Sequence, residues 1–107
     1  MKNNYQNLSV IIPCLNEEDT IGICVSKAIK VLETENIPGE VIVADNGSTD
    51  RSVEIAKNNH TKVINVTKKG YGSAIKEGIK VSNGEFILFA DADNSYDFNE
   101  VGRFYNL

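Results

Sequence analysis

Asp91-Ala92-Asp93 follows an apolar run, Phe86-Ile87-Leu88-Phe89-Ala90, and carries two carboxylates two residues apart. In an extended backbone such residues point the same way, so both can face one hard cation. Oxygen ligands of this type suit Mg²⁺ or Mn²⁺, and Mg²⁺ commonly binds through one or two carboxylates together with substrate phosphates. A cation held there would offset charge building on a departing diphosphate. An Asp-x-Asp is also a common solvated turn, and what favours the cation is its place at the end of a buried strand.

Asp45-Asn46-Gly47-Ser48-Thr49-Asp50 forms a second polar cluster. Gly47 permits a tight turn, and Ser48, Thr49 and Asp50 can satisfy the first N–H groups of a following helix, with Ser48 the expected cap. Taken alone this is strand-to-helix turn chemistry. The functional alternative is that Asp45 and Asn46 hydrogen-bond a base or ribose edge. A third cluster, Pro13-Cys14-Leu15-Asn16-Glu17-Glu18-Asp19, puts three acids where a dinucleotide or P-loop site would place glycines. Acids there repel a phosphate and count against dehydrogenase, NTPase and sugar-nucleotidyltransferase readings, whereas a carboxylate can accept bonds from ribose hydroxyls. Lys68-Lys69-Gly70-Tyr71-Gly72-Ser73 is at most a phosphate contact and reads first as a helix start. His60 reads as a surface loop residue. Cys14 and Cys24 have neither disulfide nor metal spacing and read as packing residues.

The elements that must position these clusters alternate along the chain. Leu8-Ser9-Val10-Ile11-Ile12-Pro13, Val41-Ile42-Val43-Ala44, Lys62-Val63-Ile64-Asn65-Val66 and Phe86-Ile87-Leu88-Phe89-Ala90 read as strands. Between them lie three helical patterns. The first has Asn16 as its expected cap and Ile21, Cys24, Val25, Ala28, Ile29 and Leu32 on one face. The second turns Val53, Ile55 and Ala56 inward, and the third, opened by Gly70-Tyr71-Gly72 and stopped by Asn83-Gly84, turns Ala74, Ile75 and Ile79 inward. A further helix can start within residues 97–105. This β-α alternation predicts an α/β domain with a mainly parallel sheet in Rossmann-like order 3-2-1-4 and helices on both faces. Ligands of such sheets bind beyond the carboxyl ends of the strands, where all three polar clusters fall.

With 107 residues the chain makes one domain at most, and its net charge of −4 argues against a nucleic-acid partner. No apolar run nears the roughly 20 residues that span a bilayer, and the polar start Met1-Lys2-Asn3-Asn4-Tyr5 is unlike a signal peptide, so a cytoplasmic location is expected.

Together, Ile11-Ile12-Pro13-Cys14-Leu15-Asn16-Glu17-Glu18, Val43-Ala44-Asp45-Asn46-Gly47-Ser48-Thr49-Asp50 and Phe89-Ala90-Asp91-Ala92-Asp93 resemble the family 2 glycosyltransferases. Tyr71-Gly72-Ser73-Ala74 and Ser95-Tyr96-Asp97-Phe98 make the chain most similar to the dolichyl- or undecaprenyl-phosphate hexose synthases within that family. The resemblance covers about residues 8–105 and implies a GT-A fold, a UDP- or GDP-sugar donor and inversion of the anomeric centre. It implies Pro13, Leu15 and Glu17 at the nucleoside, and Asp45 and Asn46 at the base. Asp91 is implied near the ribose or the metal, with Ala92 in the donor site, and Asp93 on the Mg²⁺ or Mn²⁺ that bridges the diphosphate. The chain departs from many members in having Asn46 where they carry Asp. It also departs from some polyprenyl-phosphate relatives in having Ser95 where they carry a Gln ligand. By the same resemblance, residues 1–107 are the N-terminal, nucleotide-sugar-binding part of a longer enzyme. The acceptor site for a lipid phosphate and the catalytic carboxylate would lie downstream, and full-length relatives associate with the cytoplasmic face of a membrane. A module of another class, one that binds nucleotide or self-associates through uncovered strand edges without chemistry, is the alternative.

Overall fold

Val10-Ile11-Ile12 are β-branched and apolar on consecutive positions, a pattern stable only in a strand covered on both faces. The computed structural model describes residues 6–59 and 61–93 and places this run in the middle of the sheet. The elements are β1 (Gln6–Cys14), α1 (Ile21–Thr34), β2 (Gly39–Asp45), α2 (Ser52–Asn58), β3 (Lys62–Asn65), α3 (Tyr71–Val81) and β4 (Gly84–Phe89). The strands lie in the order β3-β2-β1-β4, and every pair is parallel, as the alternation predicts. His60, Ser95, the first five residues and the helix expected within 97–105 lie outside the described residues.

The two faces of β1 are divided between two cores. Leu8, Val10, Ile12 and Cys14 pack with Ile21, Val25, Ala28 and Leu32 of α1 and Ala56 of α2. Ile11 faces the other way, with Ala44, Val66 and Ala74 of α3. Helix α3 approaches β1 very closely, because a Cβ on Gly78 would stand 2.6 Å from Ile11 Cγ2. That approach sets the contact stripe of α3 along Ala74 and Gly78, and Ile79, expected inward, is 45% exposed.

The helix starts differ from the sequence reading. Asn16 and Ser48 cap nothing: α1 begins at Ile21 after Thr20, and α2 begins at Ser52 after Arg51. The first turn of α2 is served by Asp50, whose Oδ1 accepts from the Ser52 N–H at 2.9 Å and the Ser52 hydroxyl at 2.6 Å. Among the described residues no helix is long and apolar enough to cross a membrane.

A carboxylate-lined cleft at the ends of the strands

Beyond the carboxyl ends of β1, β2 and β4, Pro13, Leu15, Glu17, Asn46, Lys69, Tyr71, Asp91, Ala92 and Asp93 line one cleft of about 370 Å³. Each wall has an identifiable cause. Strand β4 makes its last bond to β1 from the Ala90 N–H to the Ile11 carbonyl at 3.0 Å. The chain then turns with Ala90 and Ala92 buried and Asp91 and Asp93 exposed. The segment is a turn rather than the extended backbone expected for Asp91-Ala92-Asp93, and both aspartates line the cleft.

The loop after β1 is bolted to the loop after β2. Asn16 sits at φ 53°, a left-handed conformation that Asn tolerates better than most residues. Its Oδ1 accepts from the Thr49 N–H at 2.8 Å and the Asp50 N–H at 3.3 Å, while its own N–H donates to Ser48 Oγ at 2.8 Å. The N–H groups of Glu17 and Glu18 donate to Ser52 Oγ and Asp50 Oδ2 at 2.8 and 3.1 Å, and Glu18 Oε1 accepts from the Arg51 N–H at 2.9 Å. Partial desolvation works against ionisation of Asp50, but the bonds from the Ser52 hydroxyl and amide and the Glu18 amide outweigh it and hold the carboxyl below its ordinary range. This contribution is therefore complete at neutral pH and is lost only as pH falls through the lowered value. The bolt sorts the three acids: Glu17 faces the cleft, whereas Glu18 and Asp19 line a separate groove between α1 and α2.

Asp45 and Asn46 are both buried. The Asp45 carboxylate accepts from the N–H groups of Gly47 and Ser48 at 3.1 and 2.9 Å and from the Ser48 hydroxyl at 2.6 Å. It lies behind the cleft wall rather than on it. The Asn46 amide donates to the carbonyls of Val66 and Lys68 at 3.1 and 2.9 Å, and its Oδ1 accepts from the Gly70 N–H at 2.7 Å. Two carbonyls on one side and an N–H on the other fix the orientation of that amide. By these bonds Asn46 carries the loop that brings Lys69 and Tyr71 to the cleft.

Lys69 and Tyr71 are the residues to which the sequence reading gave least weight. Lys68-Lys69 reads first as part of a helix start and at most as a phosphate contact, and only the fold shows that Lys69 shares a cleft with Asp91 and Asp93. Tyr71, 59% exposed, donates its phenol to Asp91 Oδ1 at 3.3 Å. Partial desolvation and the neighbouring Asp91 charge raise its pKa, so it remains a donor at neutral pH. Cys14, a buried residue of the cleft lining, is pushed up to about 11 by burial, with a further rise from the Asp45 charge; hydrogen bonding from Ser52 only partly counters this. Cys14 is therefore expected to stay a thiol and to react negligibly with iodoacetamide at pH 7–8 in the folded chain. Mass-spectrometric labelling with and without denaturant checks this.

Among the described residues the lining carries three carboxylates, Glu17, Asp91 and Asp93, and one ammonium, that of Lys69. A diphosphate would be repelled unless a cation accompanied it. Among the described residues no three His, Cys, Asp or Glu side chains gather as a self-sufficient metal site. Two carboxylates on one turn fit the other mode of binding, in which phosphate oxygens and water complete the shell of Mg²⁺ or Mn²⁺.

Comparison with known proteins agrees with this geometry. The chain is 44% identical over 100 residues to the low-salt glycan biosynthesis hexosyltransferase Agl6 of Haloferax volcanii, covering 94% of this chain and 24% of that protein. It is 36% identical over 111 residues to dolichyl-phosphate beta-glucosyltransferase of Homo sapiens, covering 92% of this chain and 34% of that protein. Glucosyl-3-phosphoglycerate synthase from Mycobacterium tuberculosis, crystallised with Mn²⁺, UDP and glucosyl-3-phosphoglycerate, superposes with a TM-score of 0.71 at 28% identity, over 81% of this chain and 33% of that one. The chain thus spans about a quarter to a third of the length of these proteins. The pattern of glycosyl transferase family 2 matches residues 9–107. With its GT-A-like strand order and its three polar loops meeting at one cleft, the chain belongs to glycosyl transferase family 2.

Proposed function

We propose that the cleft binds a nucleoside-diphosphate sugar and that residues 1–107 are the donor-binding part of an enzyme passing a hexose from UDP or GDP to a polyprenyl phosphate, with inversion. The observation that carries this reading is the meeting of Glu17, Asn46, Lys69, Asp91 and Asp93, from separate segments, on one cleft too acidic to take a diphosphate without a cation. Pro13, Leu15 and Glu17 form the wall for the nucleoside. Asn46 stands at the base with Asp45 behind it, and Asp91 and Ala92 border the ribose. Asp91 and Asp93 would hold Mg²⁺ or Mn²⁺, which when bound neutralises charge on the leaving diphosphate. Lys69 adds a positive charge to the cleft lining. A polyprenyl phosphate acceptor is already ionised near neutral pH, so the attacking oxygen needs little help from a base. The names of the hexosyltransferase and dolichyl-phosphate relatives support a hexose and a lipid phosphate.

The test is calorimetry of UDP and GDP against the chain with and without Mn²⁺. Saturable binding of one of them that requires Mn²⁺ is the expected result, and no binding under either condition overturns the reading. A second reading, a binding module that self-associates, is favoured by one feature: on the outer strand β4, Phe86 and Phe89 are 60% and 41% exposed. Concentration-dependent sedimentation without sugar transfer from UDP-glucose to a polyprenyl phosphate would favour it.

A further inference from the structure

The Asp91-Ala92-Asp93 turn lies where the sheet no longer supports it. The β1–β4 register ends at Ile11 and Phe89, and the Ala90 N–H makes the last bond between the two strands. Further along, β1 offers Pro13, which has no N–H to donate. Two carboxylates that repel each other therefore project from a segment beyond the ladder.

Its support comes from the start of α1, across 72 residues of sequence. The Thr20 hydroxyl donates to the Ala92 carbonyl at 2.6 Å, the carbonyl between the two aspartates. Glu17 Oε1 stands 3.5 Å from the same hydroxyl, so its single proton goes to Ala92. One turn on, the Cys24 thiol donates to the Asp91 carbonyl at 3.7 Å. Ala92 is itself buried, so losing the Thr20 bond leaves its carbonyl short of a partner where water is scarce.

We infer that Thr20 is a positioning residue for the Asp91 and Asp93 carboxylates: it fixes the peptide between them and so sets the distance and direction at which both meet a cation–nucleotide pair. Thr20 is not among the residues that line the cleft. The inference rests on the donor-binding reading of the cleft. Groups that orient metal ligands typically change affinity by about 10–100-fold when removed, and a bond to the backbone rather than to the carboxylate belongs at the lower end.

The test compares Thr20→Val, which keeps the shape and removes the hydroxyl, with Thr20→Ser, which keeps the hydroxyl. Two readouts are taken: UDP affinity in saturating Mn²⁺, and amide hydrogen exchange at residues 91–93 without ligand. Thr20→Val is expected to bind about 10-fold more weakly and to exchange faster at those amides, with Thr20→Ser close to wild type in both. If Thr20→Val lowers the unfolding temperature yet leaves affinity and exchange unchanged, the residue is merely structural and the inference is overturned. Should Thr20→Val not fold, Thr20→Ala against Thr20→Ser decides by the same criteria. If the wild-type chain binds no Mn²⁺–UDP, the donor-binding reading falls, and the exchange readout alone decides whether Thr20 holds the turn.

Discussion

Replacing Asp93 by alanine is expected to weaken Mn²⁺-dependent UDP binding by on the order of 100-fold or more, at least the loss seen when an outer group of a metal site is removed. Among the described residues the cleft is lined by three carboxylates and one ammonium, so a diphosphate is expected to enter only with a counter-charge. Asp91 and Asp93 both line the cleft from one turn, and removing Asp93 would leave Asp91 as the ligand there. Circular dichroism checks that the variant remains folded. Asp93→Asn, which keeps an oxygen but loses the charge, should fall between wild type and alanine. The measurement is calorimetric titration of UDP with Mn²⁺ and with EDTA. Because no third acid completes a site among the described residues, Mn²⁺ alone should bind far more weakly than Mn²⁺ with UDP. Undiminished binding by Asp93→Ala would remove the residue from the site.

Asn46→Asp is expected to be strongly destabilising. It turns the NH₂ group that serves the Val66 and Lys68 carbonyls into an oxygen facing two oxygens, in a buried place. Leaving such groups unpaired costs about 1–3 kcal/mol each, so the variant should lose about 2–4 kcal/mol at pH 7. For a domain of this size that lowers the unfolding midpoint by roughly 10–25 °C. The sign of the pH dependence follows from the environment. Burial and facing carbonyls raise the folded-state pKa of the new carboxyl, so the unfolded chain ionises first as pH climbs past its ordinary value near ~3.9, and stability falls. Below that value the protonated form again offers one donor, and much of the loss should be recovered. Thermal unfolding at pH 4 and pH 7 measures both effects. Stability equal to wild type at pH 7 would mean that Asn46 does not carry the loop holding Lys69 and Tyr71.

The strands, their order and the cluster positions were legible because they depend on local pattern and on few possible topologies. Val10-Ile11-Ile12 and Val41-Ile42-Val43 allow little but buried strands, and right-handed crossovers do the rest. The loop chemistry was not legible to the same degree. Asn16 and Ser48 look like helix caps because capping is the commonest local use of those side chains. In the fold each instead serves the other's loop, across 32 residues, and Asn16 takes a left-handed backbone that spacing does not reveal. Thr20 carried no signal at all, since its partner is 72 residues away. Ile79 misled for another reason. Gly78 lets α3 settle onto Ile11, which rotates the inward stripe away from Ile79. Of the cleft, the acids were readable from sequence, whereas the company of Lys69 and Tyr71 required the fold.

The central position of β1 bears on how the chain is made. Its partner across the cleft side, β4, lies about 75 residues later, as the bond from the Gly84 N–H to Ser9 Oγ records. At the usual ~5–20 residues per second, the ribosome needs roughly 4–15 s to deliver that partner. Meanwhile Val10-Ile11-Ile12 emerges with one flank bare, a sticky nascent strand for which chaperone shelter during synthesis, or a cold and dilute refolding buffer, should raise the yield of native protein.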